Sequence, residues 1–338
     1  MFIIATIRDV AKLANVSTAS VSRVLNNDSK YKMTEETKQR VLDAVAALGY
    51  ELPPAPIKQP SPVIGEAKIG CVLRQARKTY NDPYFMSILS GAETKLREHG
   101  YEITFLRTGS DTEDKSNLLA SLQTPISGLL LMDELDEDDF RLLQEHIPHI
   151  VGISSPRTDI DNIDYDRLGI SCKGTENLIA KGHTKIGFIG GGGRSQNIKE
   201  SQRYRGYQTA MHCAKLPINE NWILDCKWEE DLCAQNIDKL CKAGDYPTAF
   251  FISSDLMAIA AMNSFYKNKV RVPEDVAIIS VTDIDVAKFT NPPLTTFRIP
   301  AEEMGYVAAE MLLKRINGYD LLPQKIVLPC SLIERGTY

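Results

Sequence analysis

A chain of 338 residues and 37.7 kDa exceeds what one compact core usually organises, so two or three domains are expected. With 43% hydrophobic and 25% charged residues, and no apolar run of the ~18 residues a membrane span needs, the composition excludes an integral membrane protein and points to a soluble globular one. The net charge of −5 conceals an asymmetry, because residues 1–60 hold 8 Lys/Arg against 6 Asp/Glu while the remainder holds 31 against 38; a small basic module precedes a larger acidic body.

Met1–Ile4 is apolar, but Arg8 and Asp9 interrupt it before an export signal could form, so a cytoplasmic protein is expected. The seven cysteines (71, 172, 213, 226, 233, 241 and 330) contain no Cys-x-x-Cys and are read as reduced thiols rather than a disulfide framework or a metal site.

In chain order, Ile7, Val10, Ala11 and Ala14 share one face of a first helix. Asn15-Val16-Ser17 breaks the pattern, and the Ser17 hydroxyl is suited to cap a second helix over Thr18–Leu25. Thr34 opens a third, with Val41, Leu42, Val45 and Leu48 as its apolar stripe and Gly49 as its stop. Residues 1–50 therefore read as a three-helix domain. Residues 51–66 follow as a linker whose prolines at 53, 54, 56, 60 and 62 deny a helix its N–H groups.

From Ala67 short apolar runs (68–73, 102–106, 128–132, 185–189, 249–252, 276–281) alternate with helical patterns (86–99, 167–181, 255–268, 301–317), which implies parallel sheets with crossover helices. Residues 67–338 are read as two αβα lobes: about 67–163 with 296–322, and 164–292 with 323–338. A ligand would sit at the carboxyl ends of the strands, in the cleft between lobes.

The second helix buries Val21, Val24 and Leu25 and turns Thr18, Ala19, Ser22 and Arg23 outward. Such a helix fits the DNA major groove, where small side chains allow close approach and an arginine bridges guanine O6 and N7. Hydroxyls at Thr6, Ser17 and Ser22 and the Asn26 amide suit phosphate oxygens, which fix register without reading sequence. The alternative is a plain three-helix bundle with a polar face.

The segment Thr6–Asn26 resembles the N-terminal helix-turn-helix of the lactose/galactose repressor (LacI/GalR) family in length, order and spacing, and the resemblance extends over nearly all of the chain. It implies a helix-turn-helix domain joined to a periplasmic-binding-protein-like α/β domain of two doubly wound parallel-sheet lobes. It also implies base contacts from Thr18, Ala19 and Arg23, a homodimer reading a pseudo-palindromic operator, no enzymatic activity and no cofactor. Members usually carry a hinge helix after the Tyr50 position; the proline-rich stretch argues against one, so no wedge residue is assigned and Ile57 is the nearest candidate.

Of the expected effector residues, Asp82, Tyr84 and Phe85 follow the first strand of the large domain, where the two aromatics either line the cleft or pack in the core. Arg203 resembles the family's effector-clamping arginine, against the alternative of a solvated surface residue. Ser254 stands where many sugar-responsive members have Asn, Asp255 is a ligand contact or a structural cap, and Thr282-Asp283 replaces a frequent acidic pair. Trp228 is a candidate lid aromatic or a packing residue. Asn81–Tyr84 and Ile284–Thr296 are similar to a galactoside-responsive branch that includes the repressor of evolved β-galactosidase. That similarity implies a repressor of sugar-utilisation genes released by a galactose-type sugar or galactoside, the alternative being a regulator that responds to a different sugar or to a co-repressor.

Other readings fail on spacing. Gly190–Gly193 invites a nucleotide, but the glycine pattern breaks at Gln196 and no Gly-Lys-Ser/Thr follows. The five histidines (99, 146, 149, 183, 212) lack metal spacing, and no serine sits in a G-x-S-x-G turn. A sugar-metabolising enzyme or sugar-binding protein would not need the helix-turn-helix. With no leucine heptads before Tyr338, a dimer rather than a tetramer is expected.

Overall fold

In the computed structural model, which describes residues 7–25, 34–48, 67–73, 82–107, 122, 125–132, 135–192 and 197–338, the chain forms two units, Met1–Gln59 and Pro60–Tyr338. The first contains α1 (Ile7–Ala14), α2 (Thr18–Leu25) and α3 (Glu35–Leu48). Its core is small: Val10, Ala11, Ala14, Val21, Val41 and Ala44 are buried, with Val16, Val24, Leu25 and Val45 packed against them. The expected stripe of α3 is corrected at two positions, since Leu42 and Leu48 are exposed and Ala44 takes the buried place. The expected linker, Ile57 included, lies outside the described residues.

The second unit holds two six-stranded sheets. The first sheet comprises β1 (Ala67–Leu73), β2 (Tyr101–Arg107), β3 (Ile126–Leu131), β4 (Ile150–Ile153), β5 (Asp161–Tyr165) and β11 (Lys325–Leu328), in the order β11-β5-β4-β3-β1-β2. Every pairing is parallel. The second comprises β6 (Ile186–Gly190), β7 (Ile223–Asp225), β8 (Ala249–Ile252), β9 (Ala277–Thr282), β10 (Thr296–Arg298) and β12 (Ser331–Ile333), in the order β12-β10-β9-β8-β6-β7, with only β12 antiparallel.

The crossover helices are α4 (Pro83–Arg97), α5 (Glu137–His146), α6 (Arg167–Ala180), α7 (Gln202–Cys213), α8 (Glu230–Ala243), α9 (Asp255–Lys267) and α10 (Ala301–Ile316). Strands buried on both faces read as apolar runs, as Ala249–Ile252 does, which is why their pattern was visible. On the first sheet α4 and α10 pack backbone to backbone. A Cβ on Gly91 would lie 1.9 Å from the Glu302 carbonyl oxygen, and one on Gly305 1.9 Å from that of Ile88.

The lobe boundaries differ from expectation at both returns of the chain. Thr296–Arg298 pairs with β9 in the second sheet, so residues 296–298 belong to the second lobe. Lys325–Leu328 pairs with β5 in the first sheet, so the chain crosses back only after Leu328. The cause is a set of polar anchors that apolar patterning does not register. Arg315 on α10 forms a two-pronged ion pair with buried Asp161 of β5 (Nε–Oδ2 2.6 Å, Nη2–Oδ1 3.0 Å). The Gln324 N–H donates to the same carboxylate at 2.8 Å, and Lys325 Nζ reaches buried Asp164 at 2.9 Å.

Candidate DNA-reading helices and effector cleft

The turn between α1 and α2 is built locally. Asn15 takes a left-handed φ of 53°, and the Val16 N–H donates to the Ala11 carbonyl at 3.0 Å, which ends α1. The Ser17 hydroxyl accepts the Ser20 N–H at 3.1 Å and so caps α2. Val21 is fully buried beneath, which orients the helix, and Ser17 and Thr18 are exposed. Ala19, Ser22 and Arg23 lie on α2 by backbone, while Thr6 and Asn26 fall outside the described residues. Thr34 precedes α3, and its hydroxyl accepts the Thr37 N–H at 3.4 Å.

In the second unit, the cleft residues stand at strand ends on both lobes. Strand order reverses beside β1 in the first sheet and beside β6 in the second, and crevices open at the carboxyl ends of such reversals. After β1, Asp82 caps α4 by accepting the Tyr84 N–H at 2.9 Å. Burial raises the Asp82 carboxyl above its ordinary value; that hydrogen bond opposes the shift, and Glu230, at the start of α8, adds to it. Burial likewise raises the Tyr84 hydroxyl. Tyr165 adds to that shift, whereas a hydrogen bond with Ser154 and the cations Arg167 and Arg203 oppose it.

Arg203 is the centre of this group. Its Nη2 donates to the Tyr165 hydroxyl. Its guanidinium lies 5.7 Å from the Tyr165 ring and 5.2 Å from the Trp228 ring. Its Nε is buried with no hydrogen-bond partner among the described residues. The Ser171 hydroxyl holds the Arg203 carbonyl at 2.5 Å, fixing the first turn of α7. Trp228 sits on the loop before α8, with left-handed φ at both Lys227 (49°) and Trp228 (60°). Its indole N–H donates to Gly192 at 3.1 Å and lies so close to Gly191 that a Cβ there would meet Nε1 at 2.5 Å. The glycine run after β6 thus provides a seat for the Trp228 indole. A buried hydroxyl, Ser253 Oγ, stands just after neighbouring β8 and has no hydrogen-bond partner among the described residues.

The other expected effector residues form two different environments. Phe85 meets the Tyr84 ring edge-on at 5.2 Å and packs against the main core. Asp255 is fully buried, and its carboxylate accepts Ser280 Oγ and Thr296 Oγ1, each at 2.6 Å, and the Ile284 N–H at 2.9 Å. Burial raises its carboxyl, against these hydrogen bonds and one from Thr282. Asp283 divides its oxygens between Arg298 Nε (2.7 Å) and Arg335 Nη2 (2.6 Å). Ser254 and Thr282 are half-buried at the ends of β8 and β9. Asp255 and Asp283 therefore tie β9, β10 and the C-terminal segment together, which is the structural alternative for Asp255.

Sequence reading missed Ser154, Tyr165, Arg167 and Ser253. Arg167 lies 5.1 Å from the Tyr165 ring and pairs with Asp164 at 3.2 Å. The available signal was Tyr165-Asp166-Arg167 at a strand-to-helix junction, hidden because Asp161–Tyr165 is a polar run whose five residues are all buried. Among the described residues no cluster suits a metal ion, and no helix is long and apolar enough to cross a membrane.

A capped helix-turn-helix together with a two-lobed parallel-sheet body defines the class of a DNA-binding regulator. Residues 6–52 match the family of bacterial regulatory proteins named lacI, and residues 175–338 match a periplasmic binding protein-like domain. Repressors named PurR from Haemophilus influenzae and Aliivibrio salmonicida are each 34% identical, over 94% and 93% of this chain and 92% of theirs. The chain belongs to the lacI family and is a DNA-binding transcriptional repressor.

Among solved structures, a complex of the regulator CelR with cellobiose is similar over 99% of this chain and all of its own, at 27% identity and a TM-score of 0.73. The lac repressor dimer bound to operator and an anti-inducer is similar over 98% of both chains, at 23% identity and a TM-score of 0.68, which bears on the fold. The PurR repressors are not members of the galactoside-responsive branch that was expected from Asn81–Tyr84 and Ile284–Thr296.

Proposed function

We propose that this repressor is a homodimer that reads a pseudo-palindromic operator through Thr18, Ala19 and Arg23 and is released by a sugar bound between its lobes. Arg203 carries the effector half of this reading: a guanidinium flanked by two aromatic rings, with a buried N–H that no described residue satisfies. Vicinal hydroxyls match such a fork, and sugar rings pack on aromatic faces. Asp82, Tyr84 and Ser254 complete the polar lining, while Asp255, Thr282 and Asp283 hold the strand ends in place.

The CelR–cellobiose complex supports a sugar as the effector class. Within that class we propose a galactose-type sugar or galactoside, on the similarity of the 81–84 and 284–296 segments. Calorimetric titration of the full chain with galactose, a β-galactoside, cellobiose and a purine base tests both levels. Saturable binding of galactose or the galactoside supports the proposal, and binding of cellobiose alone keeps the class but overturns the branch. Binding of the purine base alone overturns the sugar reading, because aromatic rings also suit a planar base.

A further inference from the structure

The amino ends of two strands of the second sheet border a cavity at the opposite end from the candidate cleft. Lys185 stands just before β6 and Trp222 just before β7, and these strands pair in parallel, Phe188 opposite Ile223. Their amino ends flank a cavity of about 640 Å³ lined by Thr184, Lys185 and the segment 217–222. That volume falls in the range of small-molecule sites, although doubly wound sheets usually bind ligands at the carboxyl ends of their strands.

Trp222 is the unusual member of this lining. It is 8% exposed, and its indole N–H is buried with no hydrogen-bond partner among the described residues. An indole N–H can only donate, so leaving it unpaired in a buried place costs free energy until an acceptor arrives. Among the described residues Ile218 and Ile223 pack against the main apolar core, whereas the Trp222 ring joins none of the core clusters. The walls are held by their own bonds. The Trp222 backbone N–H donates to the Asn219 carbonyl at 3.0 Å, and the Asn219 side chain accepts the Asn221 N–H at 3.0 Å. On the other wall the Lys185 carbonyl accepts the Thr248 hydroxyl at 3.2 Å.

Two charged side chains line the cavity, Lys185 and Glu220. Glu220 is taken by Lys199, whose Nζ lies 2.6 Å from its carboxylate. Lys185 has no ion-pair partner among the described residues, which leaves its ammonium as the uncompensated charge of the lining.

We propose that this cavity is a second ligand site, separate from the effector cleft, which takes a small organic carboxylate with an apolar body. The carboxylate accepts from the Trp222 indole N–H and pairs with Lys185, while the apolar body packs on Pro217, Ile218 and the indole ring. A charged acceptor suits these donors better than a neutral one, because charge-assisted hydrogen bonds are about twice as strong. At their other ends β6 leads to Gly191 and Gly192 and β7 to the Trp228 loop, so the two sites share two strands. The proposal holds whichever effector the cleft accepts.

The test is nuclear magnetic resonance on the full chain isotopically labelled at the tryptophan indole nitrogen. The sequence holds two tryptophans, so two indole resonances are expected, and Trp228→Phe assigns the one that remains to Trp222. The probes are phenylacetate, cyclohexanecarboxylate and hexanoate up to about 10 mM, each beside its own primary amide. The expected result is a saturable downfield shift of the Trp222 indole proton with at least one carboxylate, and about tenfold weaker binding of the matching amide. In Lys185→Ala, an exposed position, that carboxylate should bind about tenfold more weakly, and in Arg203→Ala as tightly as in wild type. A Trp222 resonance that none of the three carboxylates moves, equal binding of the amide, or binding that Arg203→Ala abolishes and Lys185→Ala leaves intact would overturn the proposal. The wild-type spectra require no variant to fold.

Discussion

Arg203 and Asp255 are both polar residues at the expected effector site, yet their surroundings assign them opposite work. Arg203 keeps a buried donor with no partner among the described residues, whereas the Asp255 carboxylate accepts from Ser280, Thr296 and Ile284. Arg203→Ala should therefore weaken effector binding about 10- to 100-fold, the scale of a buried charged hydrogen bond, with little change in Tm. Arg203→Lys should fall near the alanine variant, because an ammonium lacks the planar fork and the stacking face. Calorimetry with the bound sugar checks both. Asp255→Asn should instead cost about 1–3 kcal/mol of stability in urea unfolding and leave the affinity of the folded protein within a few-fold. On α2, Arg23→Ala should lose about 1–3 kcal/mol of discrimination between operator and random DNA. A gel-shift competition showing equal loss on both sequences would reduce Arg23 to a phosphate contact.

At the scale of elements, the Arg315–Asp161 pair joins α10 to β5 beside the return strand β11. Removing one partner leaves a buried charge, so Arg315→Ala should destabilise by about 3–5 kcal/mol in urea unfolding, and Asp161→Asn combined with Arg315→Met should recover most of the loss. The same anchors explain what was legible. Apolar runs such as 249–252 and helices such as 167–180 follow directly from periodicity, as do α1 and α2 with the Ser17 cap. Strand Asp161–Tyr165 was hidden because its acids are buried as ion pairs and hydrogen bonds, and strands of three or four residues such as β10 and β11 carry too little pattern to assign to a lobe. For the site, chemistry singled out Arg203, Tyr84 and Trp228, but Tyr165 and Ser253 depend on strand order, which brings residues distant in the chain to one crevice. Leu42 and Leu48 misled for a related reason: with a core built from alanines and valines, α3 approaches through Ala44 and leaves its larger leucines outside.

For the molecule as a whole, the proposed function joins a DNA-reading unit to a two-lobed body whose cleft would govern when DNA is held. A ligand shifts that balance only by the difference in its affinity for the two states, so release by the proposed sugar requires that its binding lower operator affinity by a measurable coupling, typically 5- to 150-fold, whereas a co-repressor would raise it. The most direct measurement is operator affinity of the full chain, by fluorescence anisotropy, with and without saturating effector, in wild type and in Arg203→Ala. The account predicts a drop with effector in wild type and none at the same concentration in Arg203→Ala, whose ligand-free operator affinity stays unchanged. Operator affinity that ignores a ligand shown to occupy the cleft would contradict it.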